Sequence, residues 1–200
     1  PYYLAGHSFG GLIAFEMARQ LQSMGKKIGL LALFDTYAPT KELMDREEDK
    51  PKDNAEWIVA LTDYINEWSD QDIVADYDAL TKLDEEQQLD WIKSQLEQIG
   101  LFARHLQIKG LLQVYKNSAS IKYIPEGCIS LDNVTLFKAK EFDENHPDAI
   151  IKKMRAIPTL GWGELLTVEP LVCEVPGDHN SMLELPNVER LAQAVKMKIK

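Results

Sequence analysis

Hydrophobic positions change their period along the chain, and each change marks an expected element. Tyr2-Tyr3-Leu4-Ala5 is a short apolar run that stops at Gly6-His7-Ser8-Phe9-Gly10-Gly11. From Leu12 to Leu21 the apolar residues recur at helical spacing, and Gly25 follows as the residue type that suits the position just past a helix end. Ile28 to Phe34 is apolar without alternation. That predicts a strand covered on both faces, as in a parallel sheet. Strand, turn, helix and strand make a βαβ unit. Asp35 then ends the second strand on the same sheet edge as Ser8, where the sites of α/β proteins gather.

Thr40 to Asp53 is polar and charged, punctuated by Pro39 and Pro51, and reads as a loop. Helical patterns follow. Asp53-Asn54-Ala55-Glu56 resembles a capping box ahead of Trp57, Ile58, Leu61, Tyr64, Ile65 and Trp68 on one face. Asp84 to Gln87 opens a second helix that carries Leu89, Ile92, Leu96 and Ile99 and closes at Gly100. A third runs from Leu101 to Asn117, weakened at Gly110. These helices interrupt the strand-helix alternation, so they are read as a helical lid inserted at about 41–125 in a single domain spanning 1–200. Their aromatic stripes read as packing rather than as a cofactor box.

Strand-like sequence resumes from Asp132 to Lys140. Glu141, Phe142, Asp143 and His146-Pro147 form a loop, Thr159 to Leu165 a turn, and Val168 to Val175 a last strand broken by Pro176-Gly177-Asp178-His179. Asn187 is expected to cap a closing helix over 188–198. The fold class is α/β: a mostly parallel sheet flanked by helices, with the helical lid inserted.

Composition narrows the function classes. At 200 residues and 45% hydrophobic content the chain can bury a real core. The net charge of −10 argues against nucleic acid or an anionic membrane as partner. Cys128 and Cys173 make neither a disulfide framework nor a metal cluster and are expected to be reduced core thiols. No stretch has the apolar length of a membrane span and the first residues do not form a signal peptide, so a cytoplasmic location is the expectation.

The candidate chemistry lies at Gly6-His7-Ser8-Phe9-Gly10, read as a nucleophile elbow. Gly6 and Gly10 lack a Cβ, which lets strand and helix approach closely around the exposed serine. The backbone N–H of Phe9, at the helix start, points where an oxyanion would form. Ser8, an acid at a strand end and His179 in a turn after the last strand follow the Ser…Asp…His order of α/β-hydrolases. Of the other histidines, His7 is assigned a structural role inside the elbow, and His105 and His146 a solvent-facing one. Two acids fit, Asp35 at the strand end and Asp143 a few residues past the next strand, and spacing does not choose between them.

Gly6-His7-Ser8-Phe9-Gly10-Gly11, Ala14-Phe15-Glu16-Met17-Ala18, Leu33-Phe34-Asp35, Gly161-Trp162 and the tail from Val175 to Leu183 resemble the type I thioesterase domains that terminate nonribosomal peptide and polyketide synthases. The resemblance runs from the first residue to the closing helix, and is weakest in the lid. It implies an α/β-hydrolase fold and a triad of Ser8, Asp35 and His179, favouring Asp35 over Asp143. It implies an acyl or peptidyl chain taken from the phosphopantetheine arm of a carrier protein domain onto the serine, then released by water or by cyclisation. No cofactor of the domain's own is implied.

The resemblance also implies further N-terminal strands and a loop with a second oxyanion donor, which this chain lacks. It is therefore read as a fragment of reduced activity, since one lost donor costs about 10²–10³ in kcat. Tyr2 is expected on an unprotected sheet edge able to pair with another copy. The competing expectations are a serine esterase or lipase acting on free esters, and an inactive interaction module whose elbow is only structural.

Overall fold

The computed structural model describes residues 1–44, 53–69, 71–100, 105–126, 130–144, 146 and 148–199. In chain order the elements are β1 (Tyr2–His7), α1 (Phe9–Ser23), β2 (Ile28–Phe34), α2 (Lys41–Met44), α3 (Asn54–Ser69), α4 (Tyr77–Leu80), α5 (Glu85–Gln98) and α6 (His105–Ser120). They continue with β3 (Val134–Ala139), α7 (Ala149–Ala156), α8 (Trp162–Leu165), β4 (Leu171–Val175), a 3-10 turn (Ser181–Leu183) and α9 (Asn187–Lys196). The chain divides into two compact units: Pro1–Asp45 with Tyr123–Lys200, and Arg46–Lys122.

The first unit holds a four-stranded parallel sheet in the order β1-β2-β3-β4. Its two faces explain the unbroken apolar run of β2. Leu31 and Leu33 pack with Ala14, Phe15 and Ala18 of α1, Leu136 and Trp162. Leu30 and Ala32 point the other way, into a core with Phe137, Met182, Leu191 and Ala194. Because side chains alternate across a strand, burial on both sides removes any polar position. β1 ends the sheet, and Tyr2 and Tyr3 are exposed on it.

α1 stops as its sequence predicts: Gly25 adopts a φ of +72° and donates to Gln22 O at 2.9 Å, while Lys26 N donates to Leu21 O at 3.0 Å. The last strand is shorter than expected, beginning at Leu171 rather than Val168. Helix α7 lies between the loop expected at His146-Pro147 and the turn expected at Thr159, where the sequence pattern predicts no element. Its cap was visible in Asp148, whose Oδ1 accepts from the N–H groups of Ile150 and Ile151 at 2.8 and 3.1 Å. Asn187 does not cap α9. It begins the helix, and its side-chain amide donates to Ser181 O at 3.1 Å, which ties the helix to the turn before it. Cys173 is a half-buried free thiol beside the second core, and Cys128 lies outside the described residues.

The second unit is helical. Ile58, Leu61, Ile65, Ile92, Leu96, Ile108 and Leu112 form its core with Ala55, Ile73 and Leu80. Tyr64 departs from the expected face, being exposed against the ring of Tyr115. The side chain of Trp68 and residues 101–104 lie outside the described residues. Asp53 caps α3 by accepting from Glu56 N at 2.9 Å. Asp84 and Gln87 form a reciprocal capping box at the start of α5, each side chain bonding the other's backbone N–H at 2.9 and 3.0 Å. Asp84→Ala is expected to cost about 1 kcal/mol of stability, read as a lowered midpoint in urea with an unchanged slope.

Candidate active site

Ser8 sits between the last residue of β1 and the first of α1 with φ 53° and ψ −125°, a backbone region strained for any residue with a Cβ. The sheet ladder holds it there. Its N–H donates to Phe34 O at 3.1 Å, and one strand over Asp35 N donates to Phe137 O at 2.8 Å. Asp35 also has a positive φ, 41°, so serine and acid leave neighbouring strands by similar strained turns.

The close approach that this turn requires is made at Gly6 and Gly11 rather than at Gly10. A Cβ on Gly6 would lie 2.1 Å from Gly10 O and 2.5 Å from Gly11 N. One on Gly11 would lie 2.0 Å from Thr36 Oγ1, so the first turn of α1 presses on the residue after Asp35. Gly10 itself faces open space, which corrects the steric role expected for it. Thr36 is held from the other side, since the buried Trp162 donates its indole N–H to Thr36 O at 2.7 Å and packs its ring on Phe15.

His179 is brought to this edge by the turn after β4. Asp178 Oδ1 accepts from the N–H groups of Asn180 and Ser181 at 3.0 and 2.8 Å, which fixes the loop. The imidazole Nδ1 lies 2.9 Å from Asp35 Oδ2. His7 completes the connection, because its Nε2–H donates to the His179 carbonyl at 2.7 Å and the two rings sit 4.6 Å apart. His7 thus ties the elbow strand to the His179 loop. Burial, then the neighbouring His179, hold it below the usual histidine range, so it donates as a neutral ring.

Asp35 is buried, and three donors surround it. Oδ1 accepts from Ala139 N at 2.9 Å and from Arg155 Nη1 at 2.8 Å, and Oδ2 faces His179. Burial pushes its carboxyl upward, but the bond to His179, the Arg155 charge and the Ala139 amide outweigh it, and the carboxyl is held below its ordinary value. An ionised Oδ2 can only accept, so Nδ1 of His179 carries the proton and Nε2 is left with its lone pair. Asp143 lies in the loop after β3, where its carbonyl accepts from His146 N at 2.9 Å.

His146 has a local structural role rather than a solvent-facing one: Nδ1 accepts from Asp148 N at 3.1 Å and the ring stacks on Phe142. The side chain of His105 lies outside the described residues. Sequence reading missed Arg155. Its signal was faint, a place four residues after Ile151 on the apolar side of an unrecognised helix. Among the described residues no group of three His, Cys, Asp or Glu side chains could hold a metal ion, and no helix is long and apolar enough to cross a membrane.

The chain is 25% identical over 200 residues to the atromentin synthetase of Tapinella panuoides, a match covering 94% of this chain and 19% of that protein. It therefore spans about a fifth of the length of that curated relative. Its fold is similar to part of a four-domain nonribosomal peptide synthetase bound to AMP and glycine, with a TM-score of 0.78, 24% identity, and coverage of 98% of this chain and 14% of that one. The RedJ thioesterase from the prodiginine biosynthetic pathway in Streptomyces coelicolor superposes with a TM-score of 0.59 at 20% identity, covering 98% of this chain and 60% of that one. The model of one family, the thioesterase domain, matches residues 1–199, and the chain belongs to that family.

Proposed function

We propose that this chain releases an acyl or peptidyl chain from the phosphopantetheine thioester of a carrier protein domain, through an ester on Ser8. The observation that carries the reading is the 2.9 Å bond between His179 Nδ1 and Asp35 at the sheet edge where the strained Ser8 turn ends β1. Membership of the thioesterase family and likeness to synthetases support this substrate class.

His179 Nε2 takes the proton of Ser8 Oγ as that oxygen attacks the thioester carbonyl carbon. The negative oxygen of the tetrahedral intermediate accepts from Phe9 N–H at the start of α1. The C–S bond then breaks, and the sulfur leaves with the proton held on His179. Little acid assistance is needed, because a thiol has a pKa of about 8.5, far below that of an amine leaving from an amide. Water, or a nucleophile within the acyl chain, attacks the Ser8 ester in the second half with His179 again as base. No cofactor of the chain's own takes part, the phosphopantetheine being the partner's, and the setting is cytoplasmic.

Treating the chain with a fluorophosphonate and reading the adduct by mass spectrometry tests this. Labelling is expected at Ser8 alone, abolished in Ser8→Ala and slowed at least about 10³-fold in His179→Ala. Labelling elsewhere, or none, overturns the reading. Turnover of an acyl-carrier thioester should fail in the same two variants.

A further inference from the structure

Arg155 is a buried cation bound directly to the acid of the site, and neither a serine mechanism nor the βαβ framework calls for it. Its Nη1 donates to Asp35 Oδ1 at 2.8 Å and its Nη2 to the carbonyl of Ala139, the residue whose N–H also binds Oδ1. The guanidinium also stacks over the ring of Phe142, 5.4 Å from its centroid. Lys138 fastens the segment that carries it: from β3 its Nζ donates to the carbonyls of Arg155 and Ile157 at 2.9 and 3.3 Å. The end of α7 is thus stapled to the strand beside Asp35. Taking an arginine and an aspartate out of water together is costly unless geometry and partners are good, and here Arg155 Nη1 and the Ala139 N–H converge on Asp35 Oδ1 while Nη2 binds the Ala139 carbonyl.

We propose that Arg155 is a positioning residue: it fixes Oδ1 of Asp35 so that Oδ2 alone is presented to His179, and it sets a fixed positive charge beside the Asp35–His179 pair. This rests on the Ser8 mechanism proposed above for its consequence, though not for its geometry. A fixed cation beside a carboxylate–imidazole pair disfavours uptake of a further proton. Other ionisable groups face it. His7 comes from β1, and Tyr37 from the segment after β2, its phenol pushed up to about 12 by burial and then by Asp35. Lys138 comes from β3, with Glu174 of β4 beside it, Asp148 lies at the start of α7 near Tyr37, and Asp178 precedes His179. Among the described residues, Arg155 and His179 are the side chains that hydrogen-bond the Asp35 carboxylate.

Arg155→Gln removes the charge and Arg155→Lys keeps it while losing the fork. A polar cavity of about 510 Å³, lined by Lys138, Lys140, Glu141, Phe142, Lys152 and Arg155 among others, lets water fill the space left by the shorter side chain. Proton uptake is followed by NMR of the isotope-labelled His179 ring, assigned with His179→Gln, and the rate of fluorophosphonate labelling at Ser8 is measured over the same pH range.

In Arg155→Gln the midpoint of uptake is expected to rise by about one pH unit, a tenfold gain in proton affinity, and the acid limb of labelling to rise with it. Arg155→Lys is expected to keep the midpoint of the parent chain but label about tenfold more slowly on the plateau, a point charge being unable to hold Asp35 Oδ1 and the Ala139 carbonyl together as the fork does. An unmoved midpoint in Arg155→Gln overturns the proposal even if that variant is less stable. Should Arg155→Gln fail to fold, a parent-like plateau in Arg155→Lys overturns it instead. If the parent chain labels nowhere, the acyl-enzyme reading fails while the NMR midpoint still decides the role of Arg155.

Discussion

Asp35→Asn is expected to lower the rate of acyl transfer to Ser8 by about 10⁴-fold, the loss seen when a serine triad keeps its shape but not its carboxylate. The amide can turn its NH₂ toward His179 Nδ1, which then accepts, and the ring proton moves to Nε2 where the base is needed. A second cost follows from burial. Arg155 would face a neutral amide in place of the carboxylate 2.8 Å away, and breaking a buried pair from one side costs about 3–5 kcal/mol. The variant should therefore melt earlier as well as react slowly. Single-turnover labelling separates the two effects when run well below the melting temperature. Asp143→Asn is the comparison, because Asp143 is the other acid that chain order permits. A rate loss in Asp143→Asn with none in Asp35→Asn would move the acid there.

Gly6→Ala is the second large effect, and it acts on the backbone. The added methyl would sit 2.1 Å from Gly10 O and 2.3 Å from Gly10 C, atoms in the first turn of α1 that have no flexible end to swing aside. Strand and helix must separate, which undoes the Ser8 turn between them. A loss above about 4 kcal/mol is expected, in the range reserved for severe strain or core disruption. In a chain of this size that lowers the melting temperature by about 8–16 °C. Gly10→Ala provides the control within the same motif, since nothing lies within 4 Å of its methyl and alanine favours a helix over glycine. Equal destabilisation by the two substitutions would mean that the turn does not depend on the Gly6 contact.

The contrast between these two glycines marks how far sequence reading reaches. The pentad announced a strained turn, and Ser8 has the positive φ that such a turn needs. Which glycine meets a neighbour depends on how the helix leaves the turn, and the spacing is the same for either choice. Helix α7 went unread for a different reason. It is eight residues long with two lysines and an arginine, so its apolar stripe is too short to stand out from loop, although Asp148 offered a cap.

Local order was legible because it is written in neighbours. The β1-turn-α1-β2 unit, the left-handed Gly25, the Asp84 box and the two-faced burial of β2 all follow from residues within a few positions of one another, where period, caps and glycine conformation operate. The pairings that build the site are long-range. His179 meets Asp35 across 144 positions, Arg155 reaches the same carboxylate across 120, and His7 holds the His179 carbonyl across 172. No periodicity reports such contacts, since they arise only when a parallel sheet brings the ends of β1, β2 and β3 and the turn after β4 to one edge. The chain order of Ser8, Asp35 and His179 could be read in advance, but the donors that surround the carboxylate, the buried arginine above all, exist only once the strands have packed.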